Sequence, residues 1–174
     1  MTMNCETIMV FLQEYIFDGL AIIISIAALV FSILQFSCER ARNRKEATIH
    51  AFDALEDNDL IIHLFALTKQ NVDDLVNRQK SHDKRIEDVW NELKKALPLI
   101  EHFAVGVNSK IYDVETLNSM AGNKIITTYY ACEELIKYKR TGDGNENNYS
   151  EFEKMVNSLI SIRKKHKQSI PQKN

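Results

Sequence analysis

The sequence predicts an all-α fold: a single N-terminal transmembrane helix continuing into a cytoplasmic helical bundle of about five to six helices. Three observations predict it. Only 5 Gly and 2 Pro occur among 174 residues, amid long stretches rich in Leu, Ile, Ala, Glu and Lys, which is not the turn-dense composition of a β protein. Residues 19–37, GLAIIISIAALVFSILQFS, carry no charge; as a helix rising about 1.5 Å per residue they reach roughly 28 Å, the thickness of a bilayer's hydrocarbon core. All 22 Lys and Arg lie after residue 38.

That charge asymmetry sets the expected topology. Residues 1–18 are a short extracytoplasmic N-terminus containing Glu6, Glu14 and Asp18 and no cation. Residues 19–37 are the transmembrane helix. The cluster Arg40, Arg42, Arg44 and Lys45 follows at once, resists translocation, and keeps that flank in the cytoplasm. A cleaved signal peptide has its positive charge before the apolar stretch, so this segment reads as a retained anchor. The expected location is the cytoplasmic (inner) membrane, single-pass, with the N-terminus out and the C-terminus in.

Within the anchor, Ala21, Ser25, Ala28, Ser32 and Gln35 recur at steps of four and three. They form one small, polar stripe on which helix backbones can approach closely and hydroxyls can bond across a helix pair. Membrane lipid and a homo-oligomer are the partners this stripe suggests.

Residues 38–57 read as a juxtamembrane helix continuous with the anchor, with an apolar stripe at Ile49, Phe52 and Leu55. Residues 58–165 make the cytoplasmic helical domain. Asn58 or Asp59 caps a short helix through LIIHLFALTKQ, apolar nearly all round and therefore expected to be buried. Val72, Leu75, Val76, Gln79, Ile86, Val89, Trp90, Leu93, Ala96 and Leu97 trace a longer amphipathic helix. Pro98 is expected to kink or restart it, before the stripe resumes at Leu99, Ile100, Phe103, Ala104 and Val107.

Asp113, with Asn108 and Ser109 as rivals, caps a short helix from Val114 to Met120, and Gly122 and Asn123 offer a stop. The face Ile125, Ile126, Tyr129, Cys132, Leu135 and Ile136 then defines a helix over 124–139. After the polar loop 141–148, Ser150 and Glu153 form a capping-box signature for a last helix through Phe152, Met155, Val156, Leu159 and Ile162. Residues 166–174 are a frayed tail.

The block from Leu97 to Arg140 resembles an uncharacterised family of short bacterial membrane-anchored helical proteins. There an apolar helix carrying a Glu and ending near a Gly is followed by a Tyr-Asp helix start. The matching positions are Glu101, Phe103, Ala104, Val105, Gly106, Ile111, Tyr112 and Asp113, with Glu101, Gly106, Tyr112 and Asp113 at the centre of the motif. The resemblance implies a bacterial inner-membrane location and carries no activity with it.

Signals for chemistry are few. Cys5, Cys38 and Cys132 are far apart and give neither a disulfide framework nor a ligand spacing. No Glu stands three residues before any of His50, His63, His82, His102 or His166, so the Glu-x-x-His pairs of helical metal sites are absent from the sequence. Asp143, Asn145 and Asn147 lack the Glu that closes a calcium loop. Residues 39–174 carry 22 basic against 21 acidic groups, which leaves no basic field for nucleic acid. The basic run Arg163 to Lys167 reads first as a solvated helix end, with anionic headgroups as the functional alternative.

No Walker, GxSxG, HExxH or dinucleotide motif occurs. The expectation is a membrane-tethered helical interaction, scaffold or sensor module without catalysis or cofactor, holding an unidentified protein partner or a second copy. The alternative is a membrane-perturbing or pore-forming effector assembled through its transmembrane helix.

Overall fold

The structure, a computed structural model, describes residues 5–67, 72–74, 77, 87–142 and 145–172, with side chains from residue 15 in the first helix and from residue 91 in the third. All of its regular secondary structure among these residues is helical. Five helices are described: α1 (Cys5–Glu56), α2 (Asp59–Ala66), α3 (Glu87–Asn108), α4 (Val114–Gly142) and α5 (Ser150–Lys165), with residues 72–74 also helical. The chain forms two compact units, Met1–Asn43 and Arg44–Asn174.

The first unit is the apolar part of α1, the one described helix long and apolar enough to cross a membrane. Its large side chains from Tyr15 to Phe36 are all more than half exposed. Among the described residues, none of this unit belongs to the buried core, and its large apolar side chains from Tyr15 onward are exposed. Helix α1 is unbroken from Cys5 to Glu56, as the lack of any Pro and the single tolerated Gly19 predict.

The second unit closes a core of its own. Phe52 of α1 meets the Phe65 and Phe103 rings at 6.4 and 5.9 Å. Leu93, Leu97, Ile100 and Val107 of α3, Leu117, Ile125, Ile126, Leu135 and Ile136 of α4, and Phe152, Met155, Val156 and Leu159 of α5 complete it. These are the periodic apolar positions, each helix presenting one stripe inward. Val72 is buried with them; Leu75, Val76, Gln79 and Ile86, and the side chains of Val89 and Trp90, lie outside the described residues.

Four local expectations are corrected. Pro98 does not restart the helix: α3 continues through it to Asn108, with Leu97 and Ile100 buried on either side, packing that offsets the lost backbone bond. Gly122 and Asn123 are no stop, because α4 runs on to Gly142. A Cβ at Gly122 would lie 2.5 Å from Asn118 Oδ1, so the glycine serves a close approach inside the helix. Helix α2 is buried only along Ile61 and Leu64, while Ile62 and His63 face outward. Finally, Ser150 is not a cap: the N-cap is Tyr149, in the left-handed region at φ 62°, with no side-chain capping bond.

Two helix starts follow the local signal. Asn58 caps α2 by accepting from Leu60 N–H at 3.0 Å. Asp113 caps α4, its Oδ1 accepting from Thr116 N–H and Oγ1 at 2.8 and 2.7 Å.

Candidate functional site

The four central residues of the family-like block sit at helix junctions: Gly106 and Tyr112 face each other across the turn after α3, Asp113 opens α4, and Glu101 of α3 reaches the start of α5. Helix α3 ends in a reversal in which Lys110 adopts φ 60°, with Ile111 N–H bonded to Gly106 O and Lys110 N–H to Val107 O, both at 3.0 Å. This pattern of crossed bonds normally favours glycine at the left-handed position. It returns Tyr112 over Gly106, whose missing Cβ leaves room for the ring, and there Tyr112 stacks on Phe103 with centroids 5.2 Å apart and planes 19° from parallel.

Glu101 does what Ser150 does not. Its two carboxylate oxygens accept from Glu151 N–H at 3.0 Å and Phe152 N–H at 2.7 Å, so the start of α5 is capped by a side chain fifty residues away. Negative charge also suits the positive end of the helix dipole. Asn108 braces the same junction by donating to Glu151 O and Oε2 at 2.9 and 2.8 Å. With Lys154 also bonded to it, and that bond the larger effect, the Glu151 carboxyl is held below its usual range.

Asp113 is tied to α1 as well. Its N–H donates to Thr48 Oγ1 at 2.7 Å, while Thr48 donates to Arg44 O at 2.6 Å. Thr48 is fully buried, and nothing in its local sequence announces a partner 65 residues on.

Beside this knot lies a groove of about 430 Å³, walled by Ala51, Ala54 and Leu55 of α1, by Leu99, His102, Phe103 and Val105 of α3, and by Ile111 and Tyr112. Leu99, Val105 and Ile111 are exposed along it. His102 is exposed and lines this groove, while its neighbour Glu101 caps α5; adjacent helical residues diverge by about 100°. Among the described residues no group of three His, Cys, Asp or Glu is placed to hold a metal ion.

Of the basic cluster, Arg40 lies 5.3 Å over the Phe36 ring, Arg42 and Lys45 are exposed, and Arg44 is half-buried. All five stripe residues, Ala21, Ser25, Ala28, Ser32 and Gln35, are exposed. Ser25 and Ser32 donate to Ala21 O and Ala28 O within their own helix, both at 2.8 Å, which satisfies each hydroxyl proton without a second helix.

Cys132 is fully buried in α4, and burial pushes its thiol up to about 12. Tyr129 is likewise raised to about 12, by burial first and then by the Glu153 carboxylate. Neither group has the features of a reactive nucleophile.

Fold and site together define a class: a helical-bundle domain joined to an apolar helix of membrane-spanning length, with its motif residues spent on the junctions between helices. The chain belongs to the family described as a domain of unknown function, DUF4760, which it matches over residues 22–159. The matched span begins inside the apolar helix and takes in the knot and most of α5. No curated protein and no solved structure matches the chain.

Proposed function

We propose that this protein is a membrane-tethered interaction module without catalysis. In this reading its N-terminus is outside, its bundle lies in the cytoplasm at the inner membrane, and the bundle holds a protein partner or a second copy there. One observation carries it: the large apolar side chains from Tyr15 to Phe36 are uncovered, while the unit from Arg44 onward closes its core without them. An apolar helix of that length needs lipid around it, and a self-sufficient domain attached to it is held at a surface. The charge asymmetry supports the orientation. The block residues support the absence of chemistry, because each is already engaged in capping or packing.

Two measurements on the full chain in its host membrane test the reading. All Lys and Arg lie after residue 38, so trypsin should leave the protein intact in right-side-out vesicles and degrade it in inverted ones; the reverse pattern overturns the orientation. In-membrane cross-linking with affinity capture should return a reproducible second protein or a dimer of this chain. A purely monomeric product rules out the interaction role, and a loss of membrane potential on expression replaces it with the pore-forming alternative.

A further inference from the structure

The C-terminal end of α5 builds a polar pocket that the motif residues do not touch. Lys167 takes φ 53°, Gln168 N–H bonds Arg163 O at 2.9 Å and Lys167 N–H bonds Lys164 O at 3.2 Å. This reversal carries the chain back toward α4. Between them lies a depression of about 300 Å³ lined by Asn118, Ser119, Gly122, Asn123, Arg163 and Gln168, with Lys124 at its edge.

Arg163 is only 7% exposed. Its Nε donates to Ser169 O at 2.7 Å and its Nη1 to Asn118 Oδ1 at 3.2 Å. Both acceptors are neutral, and a guanidinium has five N–H donors. Among the described residues no carboxylate lies within ion-pair distance of it. The nearby cation Lys124 is engaged by Glu56 at 2.6 Å, and Glu115 is set against His166 at 3.5 Å. Arg163 is therefore a buried charge whose counter-ion the described chain does not provide, and buried charges are ordinarily paired.

Its neighbours are arranged as donors. Asn118 Nδ2 donates to Gln168 Oε1 at 2.9 Å, which occupies the Gln168 oxygen and leaves its amide N–H groups as donors. Gly122 lets this cluster seat against the helix, since a Cβ there would lie 3.1 Å from Arg163 Nη1.

We propose that this pocket is an oxyanion site, in which the remaining Arg163 donors and the Gln168 amide bind a phosphate group. A planar guanidinium binds such oxygens two at a time. The phosphate comes either from a free anion or from a phospholipid headgroup.

The test uses the full chain in detergent micelles, with sodium phosphate titrated against sodium chloride at matched ionic strength. Phosphate should raise Tm and broaden its own ³¹P resonance where chloride does neither. Arg163→Met should abolish both effects. Because Arg163 also holds Ser169, that variant lowers basal stability, so Gln168→Ala, at an exposed position, is the second probe. It should keep the fold and weaken phosphate binding about tenfold to a hundredfold, the loss of one hydrogen bond to an ion. Phosphate acting no differently from chloride on the wild type, or as strongly on both variants as on the wild type, overturns the proposal. Bilayers of phosphatidylcholine with and without phosphatidylglycerol separate the sources. A Tm rise from phosphatidylglycerol that Gln168→Ala removes assigns the headgroup, and an equal phosphate response in both bilayers assigns the free anion.

Discussion

Glu101 shows how much a single half-buried carboxylate contributes when it caps a helix from another part of the chain. Replacing it with Ala leaves the N–H groups of Glu151 and Phe152 without their acceptors. The expected cost is about 2 kcal/mol, the upper range for a lost cap because the acceptor is charged. Glu101→Gln keeps one acceptor oxygen and should cost about half as much. Thermal unfolding of the full chain in detergent reads both, and an alanine variant as stable as wild type would show that Glu101 is not the cap. Two other residues give the alkaline limit of stability. The Cys132 thiol moves from an ordinary 9.0 to about 12, and Tyr129 from 10.0 to about 12. Above pH 9 the unfolded chain has released protons that the folded one retains. Stability is thus intact below pH 9 and declines as pH rises toward 12. Cys132→Ala should flatten the early part of that decline in Tm; an identical profile would remove Cys132 from the explanation.

Among the elements, the reversal at the end of α3 depends on one glycine. In Gly106→Ala the new Cβ overlaps the Tyr112 ring. The gain in helix propensity, about 1 kcal/mol, is exceeded by the overpacking, for a net loss of about 1–2 kcal/mol. In a Tyr112→Ala background the obstacle is gone and the same change should be neutral or stabilising. A double-mutant cycle on Tm measures the coupling, and additive effects would contradict the packing account. The helices themselves were legible because each carries a periodic apolar stripe, and the caps at Asn58 and Asp113 were legible because they act within three residues. Pro98, Gly122 and Ser150 were misread for one shared reason: neighbours remote in sequence decide each of them. Pro98 is held helical by the packing of Leu97 and Ile100, Gly122 makes room for Asn118 and Arg163, and Ser150 is displaced by Glu101. The candidate site follows the same division. The block motif could be named from its residues, whereas Thr48, the apolar groove and the Arg163 pocket depend on contacts that no local spacing encodes.

At the scale of the whole molecule, the two units differ in what they need from their surroundings. Among the described residues, the core from Phe52 to Leu159 contains none of the first unit, and the first buried residue after the apolar segment is Thr48. Removing residues 1–38 deletes the uncovered hydrophobic surface and none of the described core. The chain from Glu39 onward should therefore be soluble without detergent, keep the helical circular dichroism of the bundle, and unfold in one cooperative transition. Full-length protein should instead resist extraction from membranes by alkaline carbonate, as a helix with about 28 Å of uncharged length does in a bilayer. If the shortened chain aggregates or melts without a transition, the apolar helix is covering part of the bundle, and the division into a lipid-borne tether and an independent domain fails. If it folds but the full-length chain is released by carbonate, the apolar face is covered by protein, and the cross-linked partner in the membrane fraction should map to residues 15–36.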